Sequence, residues 1–151
     1  MSEKMPISIS YATESDFRDW LPLWEGYQRF YKVDITPTVT KNTWVRFLNE
    51  HEDIHCIVAK MNGEIVGFAH FLFHQSTWAK TEYCYLEDLY VSPVIRGKQI
   101  GKQLIEFLTQ VAQKRKCAKV YWHTQETNHT AQRLYDWIAV KPGMIKYEIR
   151  L

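Results

Sequence analysis

Residues 96–101, with the sequence RGKQIG, decide the fold because they stand between a strand pattern and a helix pattern. Before them, residues 85–91 read YLEDLYV, a run of bulky side chains interrupted by two carboxylates. After them, apolar residues recur from Ile100 onward at spacings of three and four, as on one face of a helix. The first four N–H groups of a helix have no partner within it, and the helix dipole makes that end partly positive. The segment therefore predicts a phosphate-binding loop at the start of a helix.

The composition is that of a globular chain. The 151 residues, 46% hydrophobic and 24% charged, suit a single domain, residues 1–151, around one core. The net charge of +2 is too small to indicate nucleic-acid binding. No run approaches the roughly 18 apolar residues that span a membrane, and the first residues lack the apolar centre of a secretion signal. We therefore expect neither a nucleic-acid nor a membrane partner.

The cysteines and histidines indicate neither a disulfide framework nor a metal site. Cys56, Cys84 and Cys117 are odd in number and show no CxxC spacing. Free thiols in a reducing compartment are the expectation, which predicts a cytoplasmic protein. His70 and His74 share a strand face without a third ligand, so no metal is expected.

Hydrophobic periodicity predicts an α+β domain with a mixed sheet. Strands are expected at residues 7–11, 54–61, 64–74, 81–91, 119–124 and 144–150, and helices at 17–31, 40–50, 99–116 and 130–138. Asn62-Gly63 is the strongest two-residue signal for a hairpin. Pro22 removes a helix hydrogen bond inside the first helix, which predicts a kink or two short helices there.

One more segment, residues 128–135 with the sequence NHTAQRLY, follows the loop, its helix and a strand. This order resembles the GNAT superfamily of acetyl-CoA-dependent N-acetyltransferases. The resemblance implies the GNAT fold, a mixed and mostly antiparallel central sheet flanked by helices, with acetyl-CoA as co-substrate. Residues 85–88, YLED, look like the spermidine/spermine acetyltransferase branch. Residues 24–27 and 121–125, WEGY and YWHTQ, resemble the yeast histone and D-amino-acid acetyltransferases of the Hpa type.

The same resemblance implies where acetyl-CoA binds. The strand before the loop lends backbone groups to the pantetheine arm, and the loop and helix start bind the pyrophosphate. The residues implied are Leu89, Val91, Arg96, Gly97, Lys98, Gln99, Ile100, Gly101 and Lys102, with Asn128 near the pantetheine. Gln99 departs from the family pattern Arg-x-x-Gly-x-Gly, and no loss of function is expected because helical backbone angles are open to glutamine.

By resemblance, Tyr135 faces the thioester sulfur and Glu87 is the general base. An amine with a pKa near ~10.4 is only about 0.04% neutral at pH 7, so its attack requires a base or a desolvating pocket. Tyrosine is a weaker acid than a thiol, so Tyr135 is expected to donate a hydrogen bond to the departing thiolate. Side chains alternate along a strand, which places Glu87 and Asp88 on opposite faces. A structural carboxylate and a core tyrosine are the alternatives.

Aromatic residues on the first helix are candidates for the acceptor pocket. Trp24, Tyr27 and Tyr31 follow helical spacing, and in this fold their helix overhangs the entry of the amine. Their rings could hold a cationic amine by cation–π attraction. A core stripe is the alternative.

These observations predict direct acetyl transfer, within a ternary complex, to a primary amine such as a polyamine or an amino acid. Backbone N–H groups around Val91 would polarise the thioester carbonyl. Two alternatives stay open: acetylation of lysines in proteins such as histones, and a non-catalytic acetyl-CoA-binding module. A homodimer or higher oligomer is expected, with strand 144–150 pairing across the interface.

Overall fold

A computed structural model of the protein describes residues 6–95 and 98–151. The strands β1 to β5 are Ile7–Tyr11, Ile54–Met61, Glu64–His74, Tyr83–Val91 and Lys119–Tyr121. The helices α1 to α4 are Phe17–Tyr31, Pro37–Leu48, Ile100–Lys114 and His129–Ile138. Among the described residues no helix is long and apolar enough to cross a bilayer.

The five strands form one sheet in the order β1-β2-β3-β4-β5. The first three pairings are antiparallel, and β5 runs parallel to β4. The mixed, mostly antiparallel α+β sheet that was predicted is therefore confirmed. The last pairing is short, because β5 contacts β4 only at Tyr83, Cys84 and Tyr85. Beyond Tyr85, no described strand pairs with the outer edge of β4.

Helices cover both faces of the sheet and create two cores. On one face, α1 and α2 bury a cluster rich in tryptophan, which includes Trp20, Trp24, Trp44, Val58 and Phe68. On the other face, α3 buries an aliphatic cluster, which includes Ile57, Phe71, Leu86, Leu104 and Leu108. The first face carries the aromatic helix of the predicted acceptor pocket.

Helix α1 runs without interruption through Pro22, so the predicted division into two helices is wrong. Pro22 lies early in the helix, and its missing N–H removes only the bond to the Arg18 carbonyl. Helix α2 begins three residues before its predicted start. Thr36 caps it by accepting a hydrogen bond from the Val39 N–H (3.3 Å), and Pro37 occupies the first helical position, where proline is favoured.

The predicted last strand, residues 144–150, is absent from the described structure. Its apolar residues Ile145, Tyr147 and Ile149 are 77%, 86% and 89% exposed. Alternation of apolar and polar residues produces a strand only where a neighbouring edge supplies hydrogen-bond partners. This C-terminal arm, residues 140–151, has no such neighbour among residues 6–95 and 98–139 of the same chain.

Candidate functional site

Glu87 occupies a β-bulge on β4. His70 of β3 pairs with Asp88, whereas the next β3 residue, Phe71, pairs with Leu86, so Glu87 is an extra residue. The bulge breaks the strict alternation that was expected to place Glu87 and Asp88 on opposite faces. Both carboxylates reach the α1 side of the sheet, where Asp88 bonds to Tyr27 of α1.

Asp88 is held by a buried chain of hydrogen bonds. The indole N–H of Trp20 donates to Nε2 of His70 (3.1 Å). Since an indole only donates, the His70 proton lies on Nδ1 and is donated to Asp88 Oδ2 (2.8 Å). The Tyr27 hydroxyl donates to Asp88 Oδ1 (2.5 Å). Both carboxylate oxygens thus accept a hydrogen bond, as an ionised Asp88 requires.

The surroundings of Glu87 suit a general base. Burial raises the pKa of Glu87, and the neighbouring Asp88 carboxylate raises it further. The nearby Tyr85 hydroxyl group lowers the pKa of Glu87 and so partly opposes both effects. A carboxyl group whose pKa moves upward toward neutral pH takes a proton more readily from an amine.

Tyr135 on α4 is a hydrogen-bond donor. It packs against the Trp122 ring (centroids 5.3 Å apart), and burial raises its pKa to about 12. This is well above the ordinary pKa of a thiol, so the Tyr135 hydroxyl is a weaker acid than a thiol and is suited to donating a hydrogen bond rather than a proton.

The three aromatic candidates on α1 differ in position. Trp24 lies in the core, only 5% exposed, and its indole N–H donates to Thr40 Oγ1 (3.2 Å). Tyr27 stacks on Trp24, with ring centroids 5.2 Å apart, and Tyr31 packs on Tyr27 at 4.7 Å. Both tyrosines are half-buried, so they are better placed than Trp24 to touch an acceptor.

The open edge of β4 matches the implied pantetheine contacts. The Ser92 N–H donates to the Val66 carbonyl (2.8 Å). Because such pairs alternate along an antiparallel ladder, the backbone groups of Leu89 and Val91 point away from β3. They face the edge that β5 leaves unpaired, where an extended amide-bearing chain can bind like a strand.

The start of α3 carries the described part of the implied phosphate site. Its first N–H groups, from Ile100 onward, point out of the helix. Gly101 is where α3 packs closely on α4 and β4, since a Cβ there would lie 3.5 Å from Leu134. The implied residues Arg96 and Gly97 lie outside the described part of the chain.

Two other implied residues of this region, Lys98 and Lys102, make contacts within the chain. Lys98 is exposed and its carbonyl accepts a hydrogen bond from Gln103 (2.9 Å). Lys102 pairs with Glu106 (3.3 Å) and lies over the Trp137 ring (4.4 Å), so its charge is partly engaged.

The backbone of Gln99 adopts the left-handed conformation, with φ 53° and ψ 38°, and not the right-handed conformation of an α-helix. The argument that helical angles make glutamine harmless at this position was therefore wrong. This conformation costs about 1–2 kcal/mol for a residue with a side chain and little for glycine. Backbone geometry thus explains why the family pattern has glycine there.

Asn128 caps α4. Its Oδ1 accepts a hydrogen bond from the Ala131 N–H (3.3 Å), which orients the amide at the helix start. The Asn128 amide also lies beside Tyr31, where it partly opposes the rise that burial causes in the pKa of that phenol. Asn128 therefore joins the α4 terminus to the aromatic helix.

Sequence reasoning missed His70 and Tyr85. His70 was considered only as a metal ligand, yet among the described residues no group of three or more His, Cys, Asp or Glu side chains is placed to hold a metal. Its role as the partner of Asp88 depends on strand register, for which the sequence carries no local signal. The β-bulge at Glu87, which brings this residue near Tyr85, also has no signal in the alternation of side chains along the strand.

Comparisons with known proteins agree with this geometry. The model of the acetyltransferase (GNAT) family matches residues 14–137. The chain is 36% identical over 144 residues to a D-amino-acid N-acetyltransferase of Saccharomyces cerevisiae, covering 94% of this chain and 89% of that protein. It is 28% identical over 142 residues to a thialysine N-epsilon-acetyltransferase of Mus musculus, covering 88% and 83%.

A solved aminoglycoside N-acetyltransferase in complex with CoA shares the fold. The TM-score is 0.84 at 14% sequence identity, over 99% of this chain and 98% of that one. The family model and the curated relatives together define an acyltransferase. The chain belongs to the GNAT family and is an N-acetyltransferase.

Proposed function

We propose that the protein transfers an acetyl group from acetyl-CoA to the primary amine of a small molecule. The observation that carries this proposal is Glu87, a carboxylate of raised pKa on a bulge beside the unpaired edge of β4. Two relatives bear names that describe amino-acid acceptors, a D-amino acid and thialysine. Acetyl-CoA supplies an activated acetyl thioester.

The chain's own groups divide the work. Glu87 takes the proton of the incoming ammonium, directly or through a water, and so generates the neutral amine. Backbone N–H groups at Leu89 and Val91 hold the donor and polarise its carbonyl. Tyr135 keeps its proton and donates a hydrogen bond to the leaving sulfur. Tyr27 and Tyr31 form the aromatic wall against which the amine lies.

Thiol release tests the reaction directly. The purified protein is mixed with acetyl-CoA and, in turn, spermidine, D- and L-amino acids, an aminoglycoside and a histone-tail peptide. We expect turnover with small amines, and a loss of about 10²- to 10⁴-fold in kcat for Glu87→Gln. Glu64→Gln, which changes an exposed carboxylate on the β2–β3 hairpin, is the matched control and keeps full activity.

The same experiment separates the alternatives. Preference for the histone peptide would replace small-molecule acetylation with acetylation of protein lysines. Binding of acetyl-CoA in calorimetry without turnover of any amine would favour the non-catalytic module.

We infer that the protein forms a homodimer through the C-terminal arm. In the arm, Ile145, Tyr147, Ile149 and Leu151 alternate with Lys146, Glu148 and Arg150, the pattern of a strand with one buried face. The edge of β5 is also unpaired. Two copies that exchange arms would satisfy both surfaces with the same symmetric contact.

A cytoplasmic location is part of the proposal. Cys56 and Cys84 are buried free thiols, and Cys117 is a half-buried one. Burial raises the pKa of the Cys84 thiol to about 12, which keeps it protonated and unreactive. Three unpaired thiols suit a reducing compartment.

A further inference from the structure

We propose that Lys119 binds the carboxylate of the acceptor, which makes the acceptor an amino acid whose reacting amine is distant from its carboxyl group. The inference rests on the proposed function and names the substrate class of the same site. Two oppositely charged positions on neighbouring strands carry it: the carboxylates of Glu87 and Asp88 on β4, and the ammonium group of Lys119 on β5.

A cavity of about 310 Å³ opens on the sheet beside β5. Its lining includes His74, Ser76, Trp78, Tyr83, Lys119 and Tyr121. The walls are thus mainly aromatic, with one cation and a few hydroxyl groups. Ser76 Oγ accepts a hydrogen bond from the Trp78 N–H (3.1 Å), so the Ser76 hydroxyl proton is free to donate to an anion.

Lys119 is positioned over this cavity by two rings. Its Nζ lies 4.4 Å from the centroid of Tyr83 and 5.7 Å from that of Tyr121. Ring faces hold the ammonium in place and use none of its hydrogen bonds. Among the described residues no carboxylate pairs with Lys119 within 4.0 Å, whereas Lys60 pairs with Asp16 at 2.9 Å. The cation is therefore ordered and available to an anionic ligand.

A stacked pair of tyrosine rings lies between the cavity and the strand that carries the carboxylates. Tyr121 stacks on Tyr85, with ring centroids 4.9 Å apart and planes inclined by 27°. Tyr85 precedes Glu87 by two residues on β4, and its hydroxyl group lowers the pKa of Glu87. The two rings thus lead from the cavity beside Lys119 toward Glu87.

The distance between Lys119 and Glu87 along the sheet determines how long the acceptor must be to contact both. Lys119 pairs with Tyr83, four positions before Glu87, which corresponds to about 13 Å of strand. The Lys119 and Glu87 side chains reach into this interval, which leaves room for several carbon atoms. An α-amino group, one carbon from its carboxylate, cannot contact both ends. A side-chain amine such as that of lysine can.

Lysine and cadaverine provide a matched pair, because cadaverine is lysine without its carboxylate. We expect the protein to favour lysine in kcat/KM. Lys119→Gln should raise KM for lysine about three- to tenfold and leave the kinetics with cadaverine unchanged. For Lys119→Glu, we expect kcat/KM to be higher for cadaverine than for lysine. Lys80→Gln removes an exposed cation from the nearby β3–β4 loop and should change neither substrate.

Unchanged cadaverine turnover also shows that each variant is folded. Equal effects of Lys119→Gln on both substrates, or a preference of the unaltered protein for cadaverine, would overturn the subsite while the acetyltransferase activity stands. If no amine is acetylated, the proposed function fails, and calorimetric titration with lysine decides the subsite. Binding that Lys119→Gln weakens supports it, and binding that is absent or unaffected refutes it.

Discussion

In the proposed mechanism, the Tyr135 hydroxyl donates a hydrogen bond to the leaving sulfur. Tyr135→Phe removes that donor and keeps the ring that packs on Trp122. We expect kcat to fall about 10²-fold, with little change in the melting temperature. Steady-state thiol release and a thermal melt measure the two quantities. Tyr11→Phe, at a side chain 45% exposed, is the control. An unchanged kcat for Tyr135→Phe would show that Tyr135 does not assist departure of the thiolate.

Asp88 tunes the base beside it. Its negative charge raises the pKa of Glu87, whereas Tyr85 and Lys146 lower it. Activity requires ionised Glu87, so the rate rises with pH through the pKa of this group. Asp88→Asn removes the charge, lowers the pKa of Glu87 and should move the acidic limb of kcat/KM to lower pH. A pH–rate profile measures the shift.

Asparagine can preserve the buried contacts, with its oxygen accepting from His70 and its amide facing Tyr27. Asp19→Asn, at an exposed position of α1, is the matched control and should not shift the acidic limb of the kcat/KM profile. A shift of that acidic limb to higher pH in Asp88→Asn would contradict the assignment of Glu87 as the base.

At the scale of elements, the junction between the loop and α3 carries measurable strain. Gln99 has a positive φ of 53°, which glycine adopts without cost. We expect Gln99→Gly to stabilise the protein by up to ~1 kcal/mol, since relief of strain is partly offset by the greater freedom of glycine in the unfolded chain. Gln110→Gly makes the same exchange inside α3 and should cost about 1 kcal/mol. Denaturant unfolding measures the change in the free energy of unfolding for both variants. A change of the same sign in both would show that Gln99 is not strained.

At the scale of the molecule, the C-terminal arm should decide the oligomeric state. Ile149 lies on the apolar side of the arm and Glu148 on the polar side. Ile149→Lys should convert a dimer into a monomer, because a charge would be buried at the interface, whereas Glu148→Lys should leave the dimer intact. Light scattering after size exclusion measures the mass. Loss of the dimer in both variants, or in neither, would show that the arm does not pair as proposed.

Local signals predicted the elements that depend on local physics. The Asn62-Gly63 turn joins β2 and β3 as expected, with positive φ at both residues. Predictions from sequence patterns were wrong where contacts with distant parts of the fold decide the secondary structure. The C-terminal residues alternate like a strand but lack an edge to bind, and Pro22 remains within one helix because α1 packs as a unit on the sheet.

The sequence alone determined the class of protein. The RGKQIG loop, the carboxylates of the preceding strand and the NHTAQRLY segment resemble the GNAT acetyltransferases in type and order, and the family model confirms that resemblance. Only the tertiary structure decided how the site is assembled. The register of β3 against β4 creates the bulge at Glu87 and joins His70 to Asp88, and the pairing of β5 brings Lys119 onto the same surface. Register arises from packing between residues distant in the chain, so no local pattern reveals it.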